Sequence, residues 1–456
     1  MNLIFEASRD GVDACTVFFS LPTTSSVLQT ATTALARLGR LVKNALFIAV
    51  RSLCQRKMIL TTCAACAAPL AHTAPQCGRC QTRYCGRPCQ VQHYKEGGHK
   101  ALCKKIKKGG GAEQYNADKK YKEAVAVAVE KCADDTKGQT CYICTEAVHW
   151  KTKEGLVRMC ACRGTSGFAH VSCLAEQVNI LVAEAEEKNL GNKAFDERWT
   201  RWDTCRLCEQ DYHGAVERAL GWACWKTYAG RPEADQARRT AMQVLGQALY
   251  RVDQAKDALA VFEAELDTER RVTDFDSDDD GALIIQTNIA DCYYDLKRYG
   301  DAIALRRAVY NKRLAKYGPM NADVIRGGLN VARSLVQDYY FEEAKPFLRD
   351  LIPKAESVHG RKHTVTLHLR QLYAEAIYKH CDSNLDEQRE AIAMLEDDCR
   401  IARQVFGPSH PNCQDAEEAL ENARERLSLQ EAHAVEDASE KLAQGLRIDG
   451  DESEAP

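Results

Sequence analysis

The sequence lacks recognisable catalytic motifs, a strong net charge and long apolar runs. It contains no phosphate-binding glycine loop, no Gly-x-Ser-x-Gly elbow and no His-Glu-x2-His motif. Its formal net charge is −3, so no overall basic field attracts nucleic acid. The apolar stretch 44–50 is far shorter than the roughly 20 residues that a membrane-spanning helix needs. These absences argue against several enzyme classes, a nucleic-acid partner and a transmembrane segment.

Acidic residues are also missing from the first part of the chain. No Asp or Glu occurs between Ala14 and Leu60, whereas Lys and Arg are spread through the second half of that stretch. Apolar residues recur there at helical spacing, which predicts a basic amphipathic helix over 28–57. Residues 1–57 are therefore interpreted either as an organelle-targeting or membrane-surface segment, or as a disordered extension upstream of a later start at Met58.

Cysteine, in contrast, is abundant, with 22 in 456 residues. A first cluster places seven Cys and one His in four close pairs between residues 63 and 103. Zinc takes four Cys or His ligands, and a pair two or three residues apart can clasp one ion, so four pairs predict two ions. The segment has few large apolar residues, and metal binding would supply most of its folding free energy. A disulfide knot is the alternative, but the included histidine and the lack of a secretory signal argue against it.

The first cluster resembles a MYND zinc finger. The resemblance rests on the four pairs and on the stretch 84–90, Tyr-Cys-Gly-Arg-Pro-Cys-Gln, followed by His93-Tyr94. It implies that the pairs interleave and that a short, proline-containing peptide docks at Gln90 and Tyr94. His72 and His93 are near enough to compete as ligands and are expected to be structural. The implied ligands are Cys63, Cys66, Cys85 and Cys89 for one ion, and Cys77, Cys80, His99 and Cys103 for the other.

A basic stretch separates the first cluster from a second one. Residues 104–137 are expected to form a linker with a flexible glycine joint at 109–111 and a short helix over 113–133. The second cluster then spans 141–208 and has four Cys, one His and three Cys in order. These four pairs are again expected to bind zinc. The eight cysteines outside both clusters are expected to be buried or free thiols, which favours a reducing compartment.

The second cluster resembles the RING-CH (RINGv) finger, most clearly over the stretch 159–174. The resemblance implies two crossed sites, and it implies that Ile143 contacts a ubiquitin-conjugating enzyme, as in RING-type ligases. Two departures weaken the ligase interpretation. First, residues 174–204 form a longer insert than the family has, and a charged helix is predicted over 175–188. Second, Gln177 occupies the position where the family usually has Trp. The implied ligands are Cys141, Cys144, His170 and Cys173 for one ion, and Cys160, Cys162, Cys205 and Cys208 for the other.

Residues 234–430 are repetitive at separations of 44, 42 and 47 residues, counted between small residues at 258, 302, 344 and 391. A small residue twelve positions before the first three of these recurs as well, so each repeat contains two helices that cross closely. This is the pattern of the tetratricopeptide repeat. The glycines at 318, 360 and 407 resemble those of the kinesin-light-chain variety. Four stacked repeats with a capping helix over 410–428 are predicted, followed by a charged tail over 431–456.

The sequence therefore predicts a multidomain protein, with two small zinc-stabilised fingers followed by an all-α tetratricopeptide solenoid. The predicted domains are 1–57, 63–103, 104–137, 138–215, 234–430 and 431–456. Four Zn²⁺ ions are expected, two in each finger. Two functions remain open. The first is a protein-interaction adaptor that binds one partner on the MYND-like finger and another on the solenoid. The second is a RING-type E3 ubiquitin ligase that uses residues 141–208. An intracellular location is expected, cytoplasmic or nuclear, with organelle targeting by 1–57 left open.

Overall fold

The computed structural model describes residues 63–66, 68, 70, 74–272 and 279–451, without the side chains of residues 437 and 440–451. These residues belong to one compact unit within Met58–Pro456. The predicted basic helix over 28–57, His72 and the acidic stretch 274–278 lie outside the described residues. No strand occurs in the described ranges, where β-pairing is limited to the isolated bridges Gln76–Arg83, Val157–Ala169 and Thr204–Asp211.

The described residues are mainly helical. The helices are α1 (Arg87–Lys95), α2 (His99–Lys108), α3 (Ala112–Cys132), α4 (Val171–Glu187), α5 (Gly191–Trp199), a 3₁₀ turn (Thr200–Trp202), α6 (Gly214–Tyr228), α7 (Gln236–Tyr250), α8 (Ala255–Val272), α9 (Asp280–Asp295), α10 (Tyr299–Tyr317), α11 (Ala322–Gln337), α12 (Phe341–His359), α13 (Thr364–Tyr378), α14 (Leu385–Phe406) and α15 (Pro411–Asp451). Within the described part of the chain, no helix is both long and apolar enough to cross a membrane.

The glycines after α2 form a tight turn, so the predicted flexible joint is wrong. The Gly111 N–H donates to the Ile106 carbonyl at 3.0 Å, and the Ala112 N–H donates to the Cys80 carbonyl at 2.9 Å. Gly111 has a φ of 102° and lies so close to Gln81 that a Cβ would be 2.7 Å from its side-chain oxygen. The turn therefore fixes α3 directly against the first cysteine cluster.

The second cysteine cluster shares a hydrophobic core with the helices around it. Its buried residues pack with α3, α6 and the first helix pair, α7 and α8. The four tryptophans Trp199, Trp202, Trp222 and Trp225 lie in this core and are at most 6% exposed. Core packing therefore explains these tryptophans, as opposed to an aromatic cage for a modified lysine.

Helices α7 to α14 form four consecutive antiparallel pairs, as the repeat pattern predicts. The aligned small residues Ala258, Ala302, Ala344 and Ala391 are completely buried. In the first pair a Cβ at Gly246 would lie 2.4 Å from the Phe262 ring, so the two helices cross too closely for any larger residue. A second hydrophobic core runs from α10 into α15. First helices of successive repeats also touch, since α11 contacts α13 and α13 contacts α15.

The last helix is longer than predicted. The sequence predicts a capping helix over 410–428 and a charged tail from 431, whereas α15 continues from Pro411 to Asp451. Ala416 and Ala423 are buried on the repeats, but residues 431–436 are exposed. Alanine, leucine and glutamate favour helix without a packing partner, which explains the extension.

Candidate metal centres and the adjoining groove

The structure brings the sixteen cysteine and histidine donors into four groups of four. In every group the ligand atoms lie within 4.8 Å of one another. The grouping is the interleaved one that the two resemblances imply. The groups are Cys63, Cys66, Cys85 and Cys89; Cys77, Cys80, His99 and Cys103; Cys141, Cys144, His170 and Cys173; and Cys160, Cys162, Cys205 and Cys208.

The distances between donors suit a tetrahedral zinc ion. Zinc lies about 2.3 Å from a thiolate sulfur, which requires neighbouring sulfurs about 3.8 Å apart. The observed separations are 3.6 Å between Cys66 and Cys85, 3.9 Å between Cys77 and Cys103, and 3.8 Å from Cys162 to Cys205. A disulfide needs sulfurs about 2.05 Å apart, and all these cysteines are free. The donor sets can thus hold a divalent cation, and their soft thiolates fit Zn²⁺.

Three of the Cys-x2-Cys pairs are built on the same backbone turn. The residue after the second cysteine has a positive φ in each, at Gln81 (61°), Thr145 (65°) and Glu209 (54°). Its N–H donates to the carbonyl of the first cysteine at 2.8–2.9 Å. The tight turn directs further backbone N–H groups at sulfur, as from Ile143 to the Cys141 Sγ at 3.4 Å. The turn therefore presets the donor geometry within each of these three pairs.

The backbone turn also favours thiolate over thiol. Burial opposes ionisation of Cys77, but an N–H from Arg79 and the His99 ring outweigh it and lower the Cys77 pKa to about 6. The same balance lowers the pKa of Cys63 to about 7. In the Cys77 group, burial and the neighbouring thiols raise the Cys103 pKa to about 11. Four close thiols repel one another once ionised, and a bound divalent ion would remove that repulsion.

The two donor histidines each present one ring nitrogen to their group. His99 Nε2 lies 3.4 Å from the Cys77 sulfur and 3.7 Å from the Cys80 sulfur. His170 Nδ1 lies 3.4 Å from the Cys144 sulfur. His93, a potential competitor, instead faces the Tyr84 hydroxyl with its Nδ1 at 3.0 Å. Its position therefore fits the structural role expected for it.

A further group of three donors occurs in the repeats, at His380, Cys381 and Asp382. Both Cys381 and Asp382 are exposed, and the Lys345 ammonium lies 3.1 Å from His380 Nδ1. A cation at this place would meet the lysine charge, and the group itself supplies three donors instead of four. The group therefore does not match the four closed sets.

The predicted peptide-binding residues lie on α1. Gln90 and Tyr94 are four residues apart, so they share one face of that helix. Gln90 is half-buried, whereas the Tyr94 side chain is 50% exposed. Val91, on the adjoining face, is 42% exposed. The first finger thus presents an accessible aromatic group at the predicted place.

Ile143, the predicted conjugating-enzyme contact, lines a groove of about 780 Å³ on the second finger. Gln177 and Ile180 of α4 line the same groove. Trp150 also lines it and is 68% exposed, and Ile180 is 58% exposed. The groove therefore has an accessible apolar lining although Gln177 is polar.

Sequence reasoning missed the loop that carries Trp150. Residues 149–154 repeat the turn of the cysteine pairs without sulfur. The Lys153 N–H donates to the His149 carbonyl at 3.0 Å, and Lys153 has a φ of 62°. Where a second cysteine would stand, the Thr152 hydroxyl lies 2.7 Å from His149 Nδ1. The His-x2-Thr spacing is the available sequence signal, but threonine is not a usual zinc ligand, so the spacing predicts no metal site.

Similarity to known proteins concerns the helical repeats. The tetratricopeptide repeat family model matches residues 383–412, which contain α14 and the start of α15. The chain is 16% identical to a solved structure of TPR-like repeats from a putative kinesin light chain of Podosopora anserina, with 49% of this chain and 100% of that chain covered and a TM-score of 0.37. It is 14% identical to BtubC (BKLC) from P. vanneervenii, with 63% and 94% covered and a TM-score of 0.37. No curated protein matches the chain. The predicted tetratricopeptide-type repeats are confirmed by the helix pairs and by the family match.

Proposed function

We propose that this chain is a zinc-binding adaptor that joins two proteins. In the proposal, four Zn²⁺ ions fix the two fingers, and a short proline-containing peptide docks on α1 of the MYND-like finger. A second protein binds the face formed by the first helices of the repeats. The observation that supports it most is the half-exposed Tyr94, four residues from Gln90 on α1, the helix that also carries the donor Cys89. Closed sets of four ligands leave no position for a reacting water, which favours binding over metal-assisted hydrolysis.

The test uses the full-length, zinc-loaded protein and a panel of labelled proline-containing peptides. We expect Tyr94→Ala to weaken binding at least tenfold, because truncating an interface aromatic typically costs more than 1 kcal/mol. Tyr340→Ala is the matched control, since Tyr340 is 51% exposed on the repeats. Peptides that bind the wild type and the Tyr94→Ala variant equally well would contradict the docking site.

The second partner can be tested through the repeats. The Asn330 and Arg333 side chains on α11 are half-buried on the first helix of their repeat. We expect Arg333→Ala to weaken capture of a repeat-binding protein while leaving peptide binding at Tyr94 intact. If neither surface retains a partner above background in pull-downs, the adaptor function is wrong.

A RING-type E3 ubiquitin ligase is the second candidate. It is favoured by the apolar groove that contains Ile143, with Trp150 supplying an accessible aromatic group although Gln177 departs from the family pattern. The assay is autoubiquitination with a panel of conjugating enzymes. Chain formation should require zinc and fall after Ile143→Ala or Trp150→Ala. Val148→Ala, 54% exposed and outside the groove lining, is the control. No zinc-dependent chains with any enzyme would eliminate this candidate.

A further inference from the structure

The first finger is strongly basic in a chain that is almost neutral. Nine Lys or Arg but only one acidic residue, Glu96, occur between residues 63 and 111, whereas the whole chain has a formal charge of −3. Zinc would not cancel this excess. A Zn²⁺ ion with four thiolates leaves a charge of about −2, and one with three thiolates and a histidine about −1. The positive potential is therefore a property of the finger with its metal bound.

Most of this charge lies on one side of α2. The helix buries His99, Cys103 and Ile106, which share one face, against the rest of the finger. Five lysines occupy the remaining surface of the helix and are exposed. No carboxylate of the described residues lies within ion-pair distance of them, in contrast to Lys119 and Lys120 on α3, which both pair with Glu123. The five are Lys100, Lys104, Lys105, Lys107 and Lys108, and we call them the α2 lysine face.

The helix that carries the α2 lysine face is a neighbour of α1, which carries the proposed peptide site. Helices α1 and α2 are packed together, with the His93 and His99 rings 5.1 Å apart. The ten residues of α2 span about 15 Å, and an extended peptide of ten residues spans about 33 Å. An extended peptide of ten residues is therefore about twice as long as the α2 lysine face.

We propose that the peptide bound by the first finger carries a stretch of Asp and Glu beside its anchor, and that the α2 lysine face recognises it. This inference rests on the proposed peptide-binding function of that finger. A peptide fits better than a nucleic acid, because the two helices also expose apolar residues: Val91 and Tyr94 on α1 are 42% and 50% exposed, and Leu102 on α2 is 38% exposed. A phosphate backbone would leave these apolar groups uncovered, whereas a peptide covers them with its anchor and pairs its carboxylates with the ammonium groups.

The test is fluorescence anisotropy with the full-length, zinc-loaded protein. The probes are labelled 16-residue peptides that share one proline-containing anchor. Each peptide carries a flank of four Glu, four Ser or four Lys residues, and the flank lies N-terminal to the anchor in one set and C-terminal to it in the other. At about 50 mM salt we expect the Glu peptide to bind about tenfold more tightly than the Ser peptide, since exposed ion pairs contribute only tenths of a kcal/mol each. The difference should shrink at about 500 mM salt, where screening shortens the range of exposed charges.

Substitutions of lysines on α2 and α3 test whether the preference for the Glu peptide depends on α2. The double substitution Lys104→Glu and Lys108→Glu should remove the preference for the Glu peptide and change Ser-peptide binding by less than twofold. The matched control is the double substitution Lys122→Glu and Lys131→Glu, which changes two exposed lysines of α3. This variant should keep the preference for the Glu peptide. Zinc content measured on each variant shows that the finger remains metallated.

The possible outcomes distinguish this inference from the proposed peptide-binding function on which it rests. Tyr94-dependent binding of the Ser and Glu peptides with equal affinity would overturn the acidic-flank inference and leave the peptide site in place. Failure of all the peptides to bind would overturn both. A labelled 16-nucleotide DNA that binds more tightly than the Glu peptide, and loses affinity in the Lys104→Glu and Lys108→Glu variant, would assign the α2 lysine face to nucleic acid and overturn the inference as well.

Discussion

At the scale of single residues, the cysteine turns show how little chain is needed to build a metal site. A residue with positive φ after the second cysteine, as at Gln81 or Thr145, closes the turn and aims N–H groups at sulfur. The pKa of Cys77 falls to about 6 and that of Cys141 is also lowered, because backbone N–H groups, joined by the His99 ring at Cys77, outweigh the effect of burial. Each group contains three or four sulfurs, and these repel one another once ionised unless a cation is bound. We therefore expect the loss of a single ligand to weaken metal binding.

We predict that Cys77→Ser and Cys160→Ser each remove one zinc ion per chain. Serine retains the size of the side chain but supplies a poor ligand in place of thiolate, and a set of three donors no longer closes around zinc. Elemental analysis of the reduced protein should fall from four ions to three. Cys381→Ser is the control, because that exposed thiol belongs to no set of four. An unchanged count in either ligand variant would show that the ligand assignment is wrong.

The glycines that end the second helices of the repeats offer a test of backbone strain alone. Gly360 has φ 86° and ψ 156°, a region that only glycine readily adopts. A Cβ there would meet nothing within 4 Å. Gly360→Ala should therefore destabilise the protein by about 1–3 kcal/mol without any steric clash.

The measurement for Gly360→Ala is the shift of the unfolding transition followed by far-UV circular dichroism. Gly300→Ala is the matched control. Gly300 also has open space at its Cβ position, but it lies in α10 without a positive φ. Alanine should be neutral there or stabilising by up to about 1 kcal/mol. Equal effects of both substitutions would contradict the backbone explanation.

At the scale of elements, the sequence allowed the helices to be predicted where apolar or small residues recur at regular spacing. The helix expected over 113–133 is α3, Ala112–Cys132, and the repeat pairs follow the predicted spacing of small residues. The prediction failed at the turn 109–111, which is fixed by the Cys80 carbonyl about thirty positions earlier. The loop that presents Trp150 was not predicted, because it has the cysteine turn without cysteine and so carries no recognisable motif. Neither feature has a periodic signal.

The metal sites and the repeats should respond differently to chelation. Removing zinc should unfold the segment 63–108, which has few large apolar residues, and the ligand loops of 141–212, whose cysteine and histidine pairs would lose the ion that joins them. Helices α3 and α6 should also loosen, since they share a core with the second finger. Helices α11 to α14 belong to the other core and should stay folded.

Hydrogen exchange read by mass spectrometry distinguishes these parts of the chain after chelation. We expect fast exchange in the finger segments, intermediate exchange in α3 and α6, and unchanged protection in α11 to α14. Adding zinc back should restore the protection of the fingers. Loss of protection in α12 at the same rate as in α2 would show that the two cores are not independent.

At the scale of the whole molecule, the domain boundary suggested by the sequence at 234 cuts through a core. A Cβ at Gly221 of α6 would lie 2.7 Å from the Ala248 Cβ of α7, so these helices cross as closely as the two helices of a repeat. Glu113 of α3 also binds the Arg238 side chain of α7 at 2.9 Å. The first repeat is therefore supported by the helices that carry the second finger.

It follows that a fragment covering 234–430 should be less stable than one covering 112–451 with zinc. Removing α6 uncovers the side of α7 that packs against it, and burial of each large apolar side chain contributes about 1.5–3 kcal/mol. Amide exchange in α7 should be much faster in the shorter fragment, while α12 and α13 remain protected. The fragment 112–430 is the control. It removes only the end of α15, where residues 431–436 are exposed, and α7 should exchange there as slowly as in 112–451. Slow exchange of α7 in the fragment 234–430 would mean that the repeats form a separate domain after all, because the contacts with α3 and α6 would then contribute nothing to their stability.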